Sequence, residues 1–246
     1  MFKIATKHIL SQIHLNEWKN SSNLNQMSDL KFLFSFDMFK VSSWTIILVN
    51  QNANFFFLFQ WFVVKGLEDK LKSSTLGAFA PDAEVFDILS KKTVGLLSLA
   101  KPGRPLILNF GSCSWPPFLA VLKDFGRMSS KFSKAADFVT VYIEEAHPME
   151  ESNFTGNVEI PIHQNMEQRI AASQIVENFK SSEDCYKIVT DLMDNKASVA
   201  YAALPERLYV ILDGKIIYEG AQGPFGYSLP EVEKCLEKFI RETNRI

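Results

Sequence analysis

The run Phe110-Gly111-Ser112-Cys113-Ser114-Trp115-Pro116-Pro117-Phe118 carries the densest chemistry in this chain. An apolar strand, Leu106-Ile107-Leu108-Asn109-Phe110, leads into a tight Gly-Ser turn, and two prolines then open an amphipathic helix. A thiol or selenol at such a strand end faces a helix N-terminus. The helix dipole and the unpaired N–H groups of the first turn favour its anion. Cys113 is one candidate nucleophile there. Position 115, directly before the prolines, is where a second chalcogen belongs, and it holds Trp115. An indole is not a nucleophile, so the function turns on that residue.

The chain must supply the elements that position this turn. It has 246 residues, 47% of them hydrophobic, ample for one domain with a core and an appendage. Basic and acidic residues nearly balance, 26 against 28, and no Lys/Arg run points to nucleic acid. Three cysteines, Cys113, Cys185 and Cys235, do not form a secreted disulfide framework. No metal-ligand cluster and no Gly-rich phosphate loop is visible. Asn20 and Asn153 head glycosylation triplets.

Residues 1–54 read as an irregular extension without a cleavable signal peptide. Trp44–Val64 is the best membrane candidate, but Asn50, Gln51, Asn52 and Asn54 interrupt it. A span needs about 20 mainly apolar residues, so an aromatic segment packed on the domain or lying at an interface fits better. Residues 55–79 read as a juxtamembrane or linker segment, and 80–246 as the catalytic domain.

Within that domain Ala80–Phe86 reads as a loop entering a short strand, and Leu106–Phe110 as a buried strand. Phe118, Val121, Leu122, Phe125, Met128 and Phe132 form one face of a helix. Phe138–Ile143 is β-branched and predicts a strand, Met166–Phe179 a helix, and Tyr186–Val189 a third strand. Asp213-Gly214 between two apolar runs signals a type I′ hairpin. Ser228-Leu229-Pro230-Glu231 resembles a capping box opening the last helix. The order strand–helix–strand–helix–strand–hairpin–helix suits an α/β mixed sheet with helices on both faces, a thioredoxin-like fold. Pro205 falls where that fold carries its cis-proline.

With these elements in place the chain resembles the iodothyronine deiodinases. The resemblance rests on Arg104–Cys113, Pro116-Pro117-Phe118, Ala136-Asp137-Phe138, Tyr142–Pro148, His163-Gln164-Asn165, Tyr201–Tyr209 and Gly223-Pro224-Phe225. They follow the family's order and spacing from about Phe55 to the C-terminus. The resemblance implies a thioredoxin-like domain that removes iodine reductively from thyroid hormones, with a thiol reductant as co-substrate and no bound cofactor. It further implies a homodimer anchored at the endoplasmic reticulum or plasma membrane, here through 44–64.

In that family the residue matching Trp115 is selenocysteine, encoded by UGA, one base from the tryptophan codon UGG. Either UGA was read as Trp, or the gene encodes Trp and the protein is a pseudoenzyme; the intact surroundings favour the first. The other alternative is a thiol reductase relying on Cys113 alone.

A selenolate at 115 would withdraw iodine from the hormone ring, and the ring carbon then needs a proton. His147 suits a proton carrier, since its ordinary pKa lies near neutrality. Glu145 would point to the same side and orient or relay. Tyr142 and Ser112 resemble the polar residues that complete this network. His163 resembles the family's substrate-contacting histidine, and Arg207 the arginine that meets a polar end of the hormone. Cys113 would close a labile bond with position 115 to reset the enzyme. One stretch departs: Met149-Glu150-Glu151-Ser152-Asn153 replaces the family's Ser-Asp-Gly-Trp after His147-Pro148.

Overall fold

A computed structural model describes residues 72–150 and 158–243. The extension 1–54, the aromatic stretch 44–64, most of the 55–79 linker and both glycosylation triplets fall outside the described residues. The chain divides into two compact units, Met1–Leu67 and Glu68–Ile246, and the second holds everything described below. Among the described residues, no helix is long and apolar enough to cross a membrane.

Seven strands form one sheet: β1 (Glu84–Asp87), β2 (Lys92–Gly95), β3 (Leu106–Gly111), β4 (Asp137–Tyr142), β5 (Tyr186–Asp191), β6 (Arg207–Leu212) and β7 (Lys215–Glu219). Their order across the sheet is β2-β1-β5-β4-β3-β6-β7. The three central strands β3, β4 and β5 run parallel, while β6, β7 and the β1–β2 hairpin are antiparallel additions. Four helices accompany them: α1 (Pro116–Phe132), α2 (Met166–Ser173), α3 (Lys196–Ala200) and α4 (Leu229–Thr243). The β3-α1-β4 and β6-β7-α4 units meet side by side, which is the thioredoxin-like arrangement.

All six residues of β3 are buried, as expected of a central strand covered on both faces. Alternation sorts the faces. Ile107 belongs to the core with Phe118, Leu122 and Phe125 of α1 and with Val232 and Leu236 of α4. On the opposite face Phe110 packs against Tyr201 and Tyr209, with ring centroids 5.0 and 6.2 Å away. Asp191, at the end of β5, accepts from the N–H groups of Ala197 and Ser198 and so holds the short α3 on that second face.

The β6–β7 hairpin turns at Asp213 (φ 48°) and Gly214 (φ 77°), both left-handed as a type I′ turn requires. A register shift falls between Val210 and Ile211. One segment differs from the sequence reading and one adds to it. The expected helix over 166–179 is α only to Ser173 and continues as a 3-10 turn from Gln174 to Phe179. The loop from Ala80 enters β1 at Glu84 as expected, and the chain then turns back, with Leu89 bonded to Asp87, into β2, a strand the sequence reading did not include.

Gly111 closes β3 where the Phe118 ring crosses it. A Cβ there would lie 2.2 Å from the ring. Gly111→Ala is therefore expected to lower stability by about 1–3 kcal/mol through overpacking. Thermal unfolding should show a loss of several degrees; an unchanged midpoint would contradict the close approach.

Candidate active site

The site forms where β3 and β4 end. Gly111 pairs with Tyr142 in the parallel register, so the turn 112–115 and the loop 143–148 leave the sheet side by side. Two serines tie them together. Ser112 Oγ accepts from the Ala146 N–H at 3.1 Å, and Ser114 Oγ accepts from the His147 N–H at 3.0 Å. Trp115 is the N-cap residue of α1, with Pro116 and Pro117 at the first helical positions, where a missing N–H costs nothing.

Glu145 occupies the centre and is 2% exposed. Its Oε2 accepts from the Ser114 N–H at 2.8 Å, and its Oε1 accepts from the Tyr142 hydroxyl. His163 Nε2 lies 3.4 Å from the same Oε1. Burial raises the Glu145 carboxyl above its ordinary value, opposed by Ser114, Tyr142 and the charge of Arg169. His163 is pushed down to about 4, by burial first and by Arg169 second, so it is neutral at pH 7. Burial lowers His147 as well.

The contacts thus divide the two histidines. Glu145 faces His163, whereas the His147 ring lies against Trp115, centroids 5.3 Å apart at 38°. Cys113 is fully buried beneath the turn, its Sγ 3.8 Å from the Ala172 carbonyl. Burial, and then the negative charge of Glu145, push its thiol up to about 12. A thiol so placed is an acid too weak to supply a thiolate at neutral pH.

Arg207 is not brought into this cluster. It starts β6 and is 2% exposed. Its Nε donates to the Gly220 carbonyl at 2.7 Å, NH1 to Ala202 at 3.3 Å, and NH2 to Glu219 at 3.3 Å. It also lies over the Tyr209 ring, on the face away from α1. Alternation sends its neighbour the other way: Glu206 is 1% exposed and turned towards Trp115. Burial pushes its carboxyl up to about 7, and the Trp115 indole partly opposes that. Even so, Trp115 Nε1 and Glu206 Oε2 are both buried without a hydrogen bond of good geometry. Glu206 follows the cis Leu204–Pro205 peptide, and Gly223, before the cis bond to Pro224, lies directly against its side chain.

Sequence reasoning passed over Glu206 as a site residue, although the cis-proline position beside it was recognised. It also passed over Arg169, which reads as one more charge on a helix. Among the described residues no group of three or more His, Cys, Asp or Glu could hold a metal ion. A groove of about 490 Å³ between α1 and α4 is lined by none of the site residues Ser112, Cys113, Trp115, Tyr142, Glu145, His147, His163 or Arg207.

A profile of the iodothyronine deiodinases matches residues 7–240. The chain belongs to the iodothyronine deiodinase family. It is 42% identical over 172 residues to the thyroxine 5-deiodinase of Gallus gallus, covering 70% of this chain and 66% of that protein. Against the type I iodothyronine deiodinase of Xenopus laevis it is 41% identical over 172 residues, again 70% and 66%. The match thus spans slightly less than two thirds of these relatives. A solved protein from Geobacillus kaustophilus shares the fold, with a TM-score of 0.50, 18% identity, and coverage of 68% of this chain and 83% of that one.

Two outcomes follow from the buried groups. At pH 8 iodoacetamide should modify the exposed Cys185 and spare Cys113 in the folded chain, as peptide mass mapping would report. Equal labelling would contradict the burial of Cys113. Asp191 and Glu206, both near 7 in the fold, release their protons at far lower pH when unfolded. Their stabilising contribution is complete at low pH and lost as pH rises through about 7. His163 runs in the opposite sense, complete above its ordinary value of 6.5 and lost as pH falls to about 4. The urea midpoint should therefore rise as pH is lowered from about 8 to about 6.5. A flat or falling midpoint there would contradict these burials.

Proposed function

We propose that this protein carries out reductive deiodination of iodothyronines, with selenocysteine as the working residue at position 115. Family membership and the preserved surroundings of position 115 support this reading. The observation that carries it is the buried, hydrogen-bonded cluster of Ser114, Tyr142, Glu145 and His163 gathered around the N-cap position of α1. The indole at 115 faces Glu206 and fills this position without offering a nucleophile. A chalcogen at 115 would gain the α1 N-terminal field in its place.

The ring C–I bond breaks, iodine passes to the selenolate, and the electron pair left on the ring carbon takes a proton. Two thiol equivalents then reduce the Se–I bond, giving iodide, the free selenol and a disulfide. Glu145, Tyr142 and His163 form the chain that moves the proton, and His147, against residue 115, lines the same space. The high pKa and burial of Cys113 favour an external thiol over Cys113 for the resetting step. The anchored guanidinium of Arg207 supports a structural role for it rather than hormone binding. We include in the proposal a homodimer associated with the endoplasmic reticulum or plasma membrane, through residues 44–64.

The test is iodide release from labelled iodothyronine with dithiothreitol. The chain with selenocysteine at 115 should turn over, Trp115→Cys should retain slow turnover, and the Trp115 chain should release none above background. Hormone binding without iodide release by the selenocysteine form would overturn the reading in favour of a binding protein. Peroxide reduction lost in Cys113→Ser would instead support the thiol-reductase alternative.

A further inference from the structure

His163 faces the carboxylate at the heart of the site, yet its orientation is set from behind. Arg169, six residues further along the chain, is on α2 and 3% exposed. Its guanidinium is held by three acceptors on the far side: the Leu192 carbonyl at 2.7 Å, Asn195 Oδ1 at 2.6 Å and the Asp191 carbonyl at 3.5 Å. From that anchor its Nε donates to His163 Nδ1 at 3.4 Å. An arginine has only donors, so Nδ1 must be the unprotonated ring nitrogen. The remaining proton of the neutral ring then resides on Nε2, which faces Glu145 Oε1 at 3.4 Å without completing a hydrogen bond of good angle.

We infer that Arg169 is a positioning residue: it locks His163 in the Nε2–H tautomer and so presents a donor to Glu145 and to a bound substrate. The charged and titratable groups facing the imidazole are Arg169 from α2, Glu145 from the loop after β4 and Tyr142 from β4, its ring centroid 6.1 Å away. Only Arg169 contacts Nδ1 among them. The arginine's charge also opposes a second proton on the ring, consistent with the low His163 value. Asn195 serves the same end at one remove. Its left-handed backbone (φ 54°) places Oδ1 on the guanidinium. The role rests on the proposed reaction only for its kinetic consequence; the tautomer itself does not.

Long-range 1H–15N correlation spectra of the full chain test this, with His163→Gln identifying the signal. In the unaltered protein at pH 7, Nε2 should be protonated and Nδ1 of the unprotonated type. Nδ1 protonation, or a doubly protonated ring, would overturn the inference before any variant is made. Arg169→Lys should keep the ring neutral but mix the tautomers. Arg169→Gln should mix them and raise the His163 pKa. Asn195→Ala, which loosens the anchor without touching His163, should mix them in part. In the selenocysteine form Arg169→Lys should lower kcat on the order of tenfold with less change in KM, as loss of an imidazole's orienting partner does. Unchanged tautomers in a folded Arg169→Lys would overturn the inference whatever the turnover. The expected tautomer without any deiodination would leave it standing and remove the proposed function alone.

Discussion

A single buried carboxylate holds this site together. Taking Glu145 out of water costs several kcal/mol, and only good partners offset that. The Ser114 N–H and the Tyr142 hydroxyl supply two charge-assisted hydrogen bonds, and His163 lies 3.4 Å away. These partners come from three places in the chain: the turn after β3, the end of β4, and the segment before α2. Each must be in position for Glu145 to remain buried, so the carboxylate makes their mutual placement a condition of folding. Burial also sets the local chemistry. Cys113 is itself buried, and the Glu145 charge adds to that burial in pushing its thiol up, while residue 115 is only partly buried at the start of α1.

The sheet makes this possible by register. In parallel strands the loops leave from one edge, and a site gathers at the carboxyl ends. Gly111 opposite Tyr142 delivers the two loops together, and the serines fasten them through backbone N–H groups. On the antiparallel side β6 begins at the same edge. Alternation along it sends Glu206 to the α1 face and Arg207 to the other, where the guanidinium ties Gly220 and Ala202 together. Adjacent charged residues thereby take opposite duties, one towards residue 115 and one in the scaffold.

Much of this was legible in the sequence where local physics is strong. The apolar run before Gly111, the helical spacing from Phe118 to Phe132 and the Asp213-Gly214 turn each specify their own structure and formed as read. The proximity of Ser112, Tyr142 and Glu145 was expected from the family resemblance. What could not be read depends on packing. Cys113 looked like a nucleophile by its distance from a helix start, but burial decides its pKa, and burial is a property of the fold. Arg207 looked available because nothing in the sequence reveals three carbonyl and carboxylate acceptors closing around it. Glu206 and Arg169 gain meaning only from what they touch across the fold. The Met166–Phe179 segment kept helical spacing throughout, yet its second half tightens to a 3-10 turn as it packs Val176 into the core.

The most direct test of the account is single-turnover iodide release by the selenocysteine form carrying Glu145→Gln, measured against its parent. A neutral amide of the same shape fills the space but can neither hold nor pass the proton. Release should slow by about 10²–10⁴-fold, the usual worth of a positioned acid–base group, under conditions where circular dichroism shows the variant folded and hormone binding persists. Equal rates in the two proteins would show that Glu145 serves the fold alone, and the central claim would fall.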